Sequence, residues 1–543
     1  MPSIKEKVDI CLIGYNVEDT SVDYILSQRN LGMALVASSL RNSGFTVDII
    51  NPLIKGLSVE ETAGEAEKKE YKYMGFSVLD SIGFEYVKKV IIKLREMGYK
   101  QHFTVGGFFP TINYRNVFSG VPDGLIDTVC RGEGEIMTLE LFKALECGED
   151  WREIEGIAYM GEDGIVANPM RPYISDLDSI LFAADDEVKD CIARKQPINL
   201  FSSRGCYGNC TYCSSHKLFY GREHNKWRSR SARSVVDEME MLAKRFDARC
   251  FSFMDDNFIG PGEMGRRRVV AICEEIRARG MDIEFFFECR PDGISDEVAK
   301  ALSKAGCKLV FLGIESGSDN CLKELGRGNI NKETNREAIS ILADNHIEVT
   351  IGFIMFTPEC TFEDLKDNID LLKFYFTRNY RSYLLTMKIG TLLFSGLVPI
   401  SGSQICARLE KEVRVTGDEL EYVSTSSEVE LLRLLLQRMH IYKYVDEMEA
   451  KIRKEWYDPD LWSGENQGDR LASVKEYERE LINMCSDLFF ELMDSIKSHD
   501  LRNINRIVLK FKRKLLVFTN EKIKQIRNIL NNSEVRNGYE RVG

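Results

Sequence analysis

Cys206, Cys210 and Cys213 stand in a C-x3-C-x2-C spacing within RGCYGNCTYCSS, residues 204–215. Three thiolates on so short a loop can hold three irons of a cubane, for which four cysteines are the usual complete set. A fourth local cysteine is missing, so one iron would keep open positions that a small chelating molecule can take. The same triplet could hold zinc, with His216 nearby or a distant residue as fourth ligand. Structural zinc motifs usually come as paired C-x2-C knuckles, however, and the chain has no second knuckle. Context favours the cluster. INLFSS, residues 198–203, reads as a short strand running into the loop, and Tyr212 sets an aromatic ring beside the last thiolate.

This spacing resembles the radical S-adenosylmethionine (radical SAM) superfamily. The resemblance implies a 4Fe-4S cluster whose free iron binds the amino and carboxylate groups of SAM. It also implies reductive cleavage of SAM to methionine and a 5'-deoxyadenosyl radical.

The elements that must position the loop come from 543 residues, room for about three domains at the usual 100–200 residues each. With 44% hydrophobic and 29% charged residues, the chain can bury a substantial core. A net charge of −12 argues against nonspecific nucleic-acid binding. MPSIKEKVDICLIG has a charged start but too short an apolar run for a signal peptide, and is expected to form a first strand. No stretch reaches the roughly 18 apolar residues needed to span a bilayer. A cytoplasmic protein without membrane or nucleic-acid partners is expected. Its fifteen cysteines then read as metal ligands or small buried residues, with Cys11, Cys130, Cys250, Cys289 and Cys307 in the core.

Residues 1–145 alternate short apolar runs with helical patterns, the signature of a parallel sheet flanked by helices. Strands are expected at 8–14, 46–51, 73–79 and 103–108, and a fifth with its following loop at 125–135. A helix is expected at 31–44, and Phe84, Val87, Ile91 and Leu94 form a second helical stripe. Such a doubly wound, Rossmann-like sheet opens a ligand crevice at the carboxyl ends of its strands. Ser77-x-Leu79, the Gly106-Gly107 pair in VGGFFPT and the RGEGE of 131–135 resemble the cobalamin-binding domain that precedes many radical SAM domains. The resemblance implies Ser77, Leu79, Gly106 and Gly107 against a corrin, where close backbone approach needs glycine. The loop after the first strand lacks the Asp-x-His-x-x-Gly motif by which other cobalamin proteins supply a histidine to cobalt. Cobalamin is therefore expected with its nucleotide tail displaced and no protein histidine on the metal. GxGxxG is absent, which leaves an NAD reading without support.

Residues 146–195 read as a linker containing a hairpin at 156–169 that turns at 162–164. In residues 196–415, strands and helices alternate again, with strands at 198–203, 250–258, 283–290, 308–318 and 349–358 and a last one following. About six parallel strands are too few for the eight of a closed barrel, so a partial (β/α)6 barrel with a lateral cleft is expected. The strand ends carry polar groups in the order of the radical SAM superfamily. By that resemblance Asp256 and Asn257 recognise the ammonium of SAM's methionine, and Arg290 ends the third strand. Glu315 and Ser316 contact ribose or carboxylate, while Gly352 and Ile354 pack adenine. Asp255 and Glu288 read equally well as strand-end acids. FTPECTFED departs from the superfamily's GxPGET turn, which bears on loop shape rather than fold, and Cys360 within it reads as packing.

Residues 416–543 show helical patterns at 429–456, 474–498 and 501–531, expected to cap the barrel opening. In the second, Leu481, Cys485, Leu488, Leu492 and Ile496 share one apolar face. A polar loop with Trp456 and Trp462 at its edges separates the first two patterns, and the basic run at 510–514 reads as a solvated face.

Together the resemblances imply a cobalamin-dependent radical SAM enzyme using a 4Fe-4S cluster, SAM and cobalamin, with electrons from a flavodoxin- or ferredoxin-type donor. The expected reaction abstracts hydrogen from an unactivated carbon of a natural-product or peptide substrate and places there a methyl group from methylcobalamin, which a second SAM regenerates. The alternative is a cobalamin-assisted cyclisation or rearrangement without net methyl transfer. Methylthiolation is weakened because its N-terminal three-cysteine cluster domain is not present, and a non-enzymatic regulator would not need the strand-end polar set.

Overall fold

The computed structural model describes residues 5–16, 29–215, 227–379, 389–400, 402–412, 414–416, 421–456 and 467–540. The chain divides into two units. The first holds residues 1–206, 215–258 and 271–287, and the second holds 207–214, 259–270 and 288–543.

In the first unit, strands β1 (Lys7–Ile13), β2 (Val47–Ile50), β3 (Glu70–Ser77), β4 (His102–Gly106) and β5 (Thr128–Cys130) form a parallel sheet in the order β2-β1-β3-β4-β5. This is a doubly wound order whose topological switch point lies between β1 and β3. The strands read as near-continuous apolar runs because helices cover both faces. On one face Leu31–Asn42 and Gly134–Cys147 pack on Ile10 and Leu12; on the other, Val59–Glu67 and Ser81–Glu96 pack on Cys11, Ile13 and Met74. Asn30 and Asp80 cap the helices Leu31–Asn42 and Ser81–Glu96 by accepting from the amides of Met33 and Gly83. Caps of this kind are worth about 1 kcal/mol each.

The hairpin expected within a linker instead continues this sheet. Strand β6 (Ile157–Gly161) pairs antiparallel with β5, and β7 (Gly164–Ala167) pairs with β6. Its apolar Ile157 clusters with Met137 and Leu141, which draws the segment onto the sheet edge.

The same unit contains the start of the expected barrel. Strand β8 (Ile198–Leu200) is parallel to β11 (Cys250–Phe253), and β11 to β12 (Glu284–Cys289). Between them β9 (Ser203–Gly205) pairs antiparallel with β10 (Trp227–Ser229), so the INLFSS run breaks after Leu200 rather than continuing to Ser203.

In the second unit, β13 (Cys307–Glu315) and β14 (Glu348–Phe353) are parallel, with Gly313 opposite Gly352 and a register shift between Gly313 and Glu315. The sixth strand position is reduced to a single parallel bridge between Phe356 and Gly396, and the chain just before that bridge is helical at Ile389–Phe394. The first C-terminal pattern is two helices, Ser427–Arg438 and Ile441–Trp456, because His440 between them takes a left-handed φ of +51°. Helices Gln467–Lys497 and Ile504–Glu540 pack on one another, and the former also packs on Phe362–Arg378. All five residues of the expected apolar face are buried, and neighbouring Phe489 meets the rings of Phe356 and Phe394. Trp462 and His216 lie outside the described residues. Among those residues, no helix is long and apolar enough to cross a membrane.

Candidate cofactor-binding site

In the first unit, the carboxyl ends of β1, β3, β4 and β5 open into a crevice of about 360 Å³. Ser77, Leu79, Gly106 and Gly107, the residues expected against a corrin, all line it. Gly106 ends β4 beside Ser77, whose hydroxyl accepts from Asn30 Nδ2 at 3.0 Å. The two glycines differ in cause. Gly107 sits at φ +115°, and a Cβ there would stand 2.3 Å from the Val78 carbonyl oxygen, so the fold itself demands glycine. At Gly106 a Cβ would meet only the ordinary 3.5 Å surroundings of Cys130, so the bare backbone leaves room in the crevice. Thr111 ties the loops together by donating to the Gly107 carbonyl at 2.7 Å and accepting from the Gly132 amide at 3.0 Å. Leu79 is 48% exposed at the crevice, an apolar surface suited to being covered by a large apolar ring system.

The crevice has a second wall. Ser203, Arg204, Gly205, Met254 and Asp256 line it together with the loop residues Glu133 and Glu135. Arg204 donates to both of these glutamates, and Arg228 donates to Glu133 at 2.8 Å. The four side chains are nearly buried and of balanced charge, which is what a buried ionic junction requires. RGEGE is thus the acidic half of a joint whose basic half is Arg204, two places before Cys206, and Arg228. Asp256 presents surface to the crevice, yet its recess is deep enough that desolvation raises its carboxyl above the ordinary range; Ser215 donates to it at 3.2 Å. Asn257 is buried with its amide nitrogen 4.0 Å from Cys206 Sγ, and its carbonyl accepts from Trp227 Nε1 at 2.9 Å. Asp255 is fully buried and accepts from the Ser202 amide at 2.8 Å and from the Ser203 hydroxyl at 2.8 Å, which makes it an organiser of the β8–β9 turn.

In the second unit, Cys210 meets the strand-end groups. Thr211 anchors the cysteine loop, its amide donating to the Leu325 carbonyl at 3.0 Å and its hydroxyl to the Glu324 carbonyl at 2.9 Å. Gly326, at φ +67°, permits this approach, since a Cβ would lie 2.7 Å from the Asn209 carbonyl oxygen. Arg327 Nη1 lies 3.1 Å from Cys210 Sγ and 3.2 Å from Tyr212 Oη, and Arg290 Nη1 lies 3.6 Å from the same sulfur. Glu315 stands 3.8 Å from Arg327. Burial first, and then the charge of Glu315, raise the Tyr212 phenol well above its ordinary value. Tyr212 and Ile354 pack against one apolar cluster around Leu325 and Leu397. Gly352 lies under Glu315, where a Cβ would come 3.4 Å from the carboxylate.

Ser316 does not join this constellation. It is fully buried, donates to Asn368 Oδ1 at 2.6 Å and accepts from the Ser318 amide at 3.1 Å. Arg327, by contrast, was not among the expected site residues. Its one sequence signal is an arginine between two glycines, Gly326 and Gly328, both at positive φ.

Among the described residues, no three His, Cys, Asp or Glu side chains stand gathered about a common metal position. The fit to an iron–sulfur cluster therefore rests on donor chemistry: three thiols on one loop, with arginine donors at Cys210 and an amide donor near Cys206, groups that hydrogen-bond thiolate sulfur. The fit to cobalamin rests on the apolar crevice and the bare backbone at Gly106.

Residues 200–372 match the family described as the Radical SAM superfamily, and residues 26–142 match the B12 binding domain. The uncharacterized methyltransferase PH0819 of Pyrococcus horikoshii is 30% identical over 349 residues, 63% of this chain and 72% of that protein. The cobalamin-dependent S-adenosylmethionine radical enzyme OxsB, solved with aqua-cobalamin and S-adenosylmethionine bound, is similar at a TM-score of 0.74 and 19% identity, over 97% of this chain and 81% of that one. The radical S-adenosylmethionine methyltransferase TsrM of Kitasatospora setae, solved with cobalamin and a [4Fe-4S] cluster, is similar at 0.56 and 17% identity, over 68% of this chain and 70% of that one. At these identities the two solved structures share the fold. The tandem of domains and the relative of matching extent lead to one conclusion: this chain belongs to the cobalamin-dependent radical SAM enzymes, whose cofactors are a 4Fe-4S cluster, SAM and cobalamin.

Proposed function

We propose that the chain is a methyltransferase that places a methyl group on an unactivated carbon of a small natural-product or peptide substrate. The observation that carries this reading is the shared crevice. Gly106 and Gly107 line one part of it, and Ser203–Gly205, the strand that leads into Cys206, lines another. A corrin held there would lie beside the start of the cluster loop, as close approach of the reacting groups requires. The similarity to PH0819 and TsrM, both methyltransferases, supports methyl transfer over cyclisation.

In this reading residues 1–145 hold cobalamin, with the hairpin of β6 and β7 extending their sheet, residues 196–415 hold the cluster and SAM, and 416–543 border the substrate. Cys206, Cys210 and Cys213 would ligate the cluster, with Tyr212 beside it. Asp256 and Asn257 take the ammonium of SAM; Glu315, Arg290 and Arg327 orient its ribose and carboxylate; Gly352 and Ile354 receive the adenine. Ser316 holds the turn after Glu315 in place. Bound together, the three groups supply radical hydrogen abstraction and a transferable methyl, chemistry that side chains lack. Apolar Leu79, Phe108 and Met254 line the crevice and exclude water from it. A low-potential donor such as flavodoxin or ferredoxin would deliver the electron. The fifteen cysteines form no disulfides, which suits the reducing cytoplasm.

The test is anaerobic reconstitution with iron, sulfide, cobalamin and methyl-deuterated SAM. Uptake of iron and sulfide, formation of 5'-deoxyadenosine and deuterium in methylcobalamin are expected. Zinc uptake in place of iron would defeat the reading, and 5'-deoxyadenosine without label transfer would move it to cyclisation or rearrangement.

A further inference from the structure

We infer that Arg327 and Arg290 raise the reduction potential of the cluster by donating N–H···S hydrogen bonds to Cys210, and that Glu315 and Asp292 are the counter-charges that limit this rise. The inference rests on the cluster reading above and concerns how readily the cluster accepts its electron.

Two guanidiniums converge on one sulfur. Arg327, 3% exposed, reaches it at 3.1 Å, and Arg290, 9% exposed, at 3.6 Å. Each is braced elsewhere. Arg327 donates to the Gly313 carbonyl, while Arg290 donates to the Arg327 carbonyl at 2.9 Å and to Asp292 at 3.2 Å. Like charges packed together in a dry site are costly unless paired, and the pairing carboxylates are Asp292 and Glu315.

Glu315 is placed at some expense to the backbone. Its φ of +64° is left-handed, unusual for a residue other than glycine. Its carboxylate also fills space that side chains at Gly313 and Gly352 would contest, at 2.8 and 3.4 Å. Local strain of this sort persists where the surroundings enforce it.

The acceptor at the centre explains the arrangement. A neutral thiol is a weak acceptor, whereas a thiolate on iron carries negative charge that grows when the cluster is reduced. Hydrogen bonds to sulfur and nearby charge set the potentials of such clusters. In the step concerned, a low-potential one-electron donor is oxidised and the cluster passes from [4Fe-4S]2+ to [4Fe-4S]+. No bond breaks and no proton moves. Buried donors at Cys210 favour the more negative product, so they make reduction easier.

The experiment is a redox titration of the reconstituted full-length enzyme, without SAM, followed by electron paramagnetic resonance. Arg327→Gln should lower the equilibrium constant for one-electron reduction about tenfold, a potential about 59 mV lower for a one-electron couple. Arg327→Lys should fall between it and the wild type. Glu315→Gln and Asp292→Asn should move the potential upward, because each leaves a guanidinium uncompensated. Unchanged potentials, or shifts of one sign in both classes of variant, would overturn the inference. If Arg327→Gln assembles no cluster, the two carboxylate variants decide alone: an upward shift sustains the inference and any other result ends it. The wild-type protein is measured first, and its failure to take up iron and sulfide would count against the proposed function instead.

Discussion

Arg204 Nη1 lies 3.0 Å from Glu133, which ties the residue two places before Cys206 to the loop that follows β5. Arg228 and the Ile174 amide also donate to Glu133. Breaking a buried pair of this kind by removing one charge costs about 3–5 kcal/mol. Glu133→Gln should therefore lower the unfolding free energy by about 3 kcal/mol at neutral pH, read by chemical denaturation. The pH dependence follows from the sign of the shift. Burial alone would raise the Glu133 carboxyl, but the Arg228 hydrogen bond, the charges of Arg204 and Arg228 and the Ile174 amide together hold it below its ordinary 4.5. Its contribution is present above pH 4.5 and is lost as pH falls through the lower folded value. The difference between wild type and Glu133→Gln should shrink in that acid range, and a constant difference would contradict this account.

Glu187 behaves in the opposite sense. Burial pushes its carboxyl up to about 7 from 4.5, and its Oε2 has no hydrogen-bond partner. Between these values the folded state holds a proton that the unfolded state has released, so Glu187 removes stability as pH rises from 4.5 to 7. Glu187→Gln should then stabilise the protein above pH 7, on the order of 2–3 kcal/mol, and make little difference at pH 4.5. Thermal melts across this range test it; a variant less stable at pH 8 would refute it.

Alanine at the two crevice glycines should separate fold from ligand. Gly107→Ala meets the Val78 carbonyl and a left-handed φ, so it should cost at least about 1–3 kcal/mol of stability. Gly106→Ala should leave the melting temperature within a degree or two of wild type, about the scale of a few tenths of a kcal/mol, yet weaken cobalamin uptake about tenfold or more in an absorbance titration. Equal cobalamin binding by Gly106→Ala and wild type would remove the crevice as the corrin site.

Cys210→Ala should abolish cluster assembly, seen as loss of bound iron and sulfide. Cys360, fully buried, has its thiol pushed up by burial, which suits packing rather than nucleophilic chemistry. Cys360→Ala should retain iron and 5'-deoxyadenosine formation with a stability loss of about 1–2 kcal/mol. Loss of turnover with full iron content in Cys360→Ala would give that residue a chemical role.

What the sequence made legible was local. The three cysteines lie within eight residues, and β1 to β5 announce themselves by apolar runs ending in small residues. Contacts set by distant parts of the chain were not legible. Arg327 reaches Cys210 across 117 positions, so its role depends on a fold that no local pattern encodes. Ser316 looked available at a strand end, but Asn368 of a later helix takes its hydroxyl. The hairpin's pairing with β5 depended on which sheet edge was open, and the break at His440 on a left-handed residue that helical spacing does not reveal. Ser77, Leu79, Gly106 and Gly107 line one crevice because each sits at or just beyond the carboxyl end of β3 or β4, where a parallel sheet must open.

Strand β9 is only three residues long, and Gly205, at φ +81°, is all that separates Arg204 from Cys206. Two residue steps, at most about 7 Å of peptide, therefore serve as a tether without slack between the ionic junction and the first thiol. One residue inserted within β9 would turn its side chains to the opposite face of the β9–β10 pair, so spacing here is metered by peptide units, and no adjustment of side chains can make up a change in length.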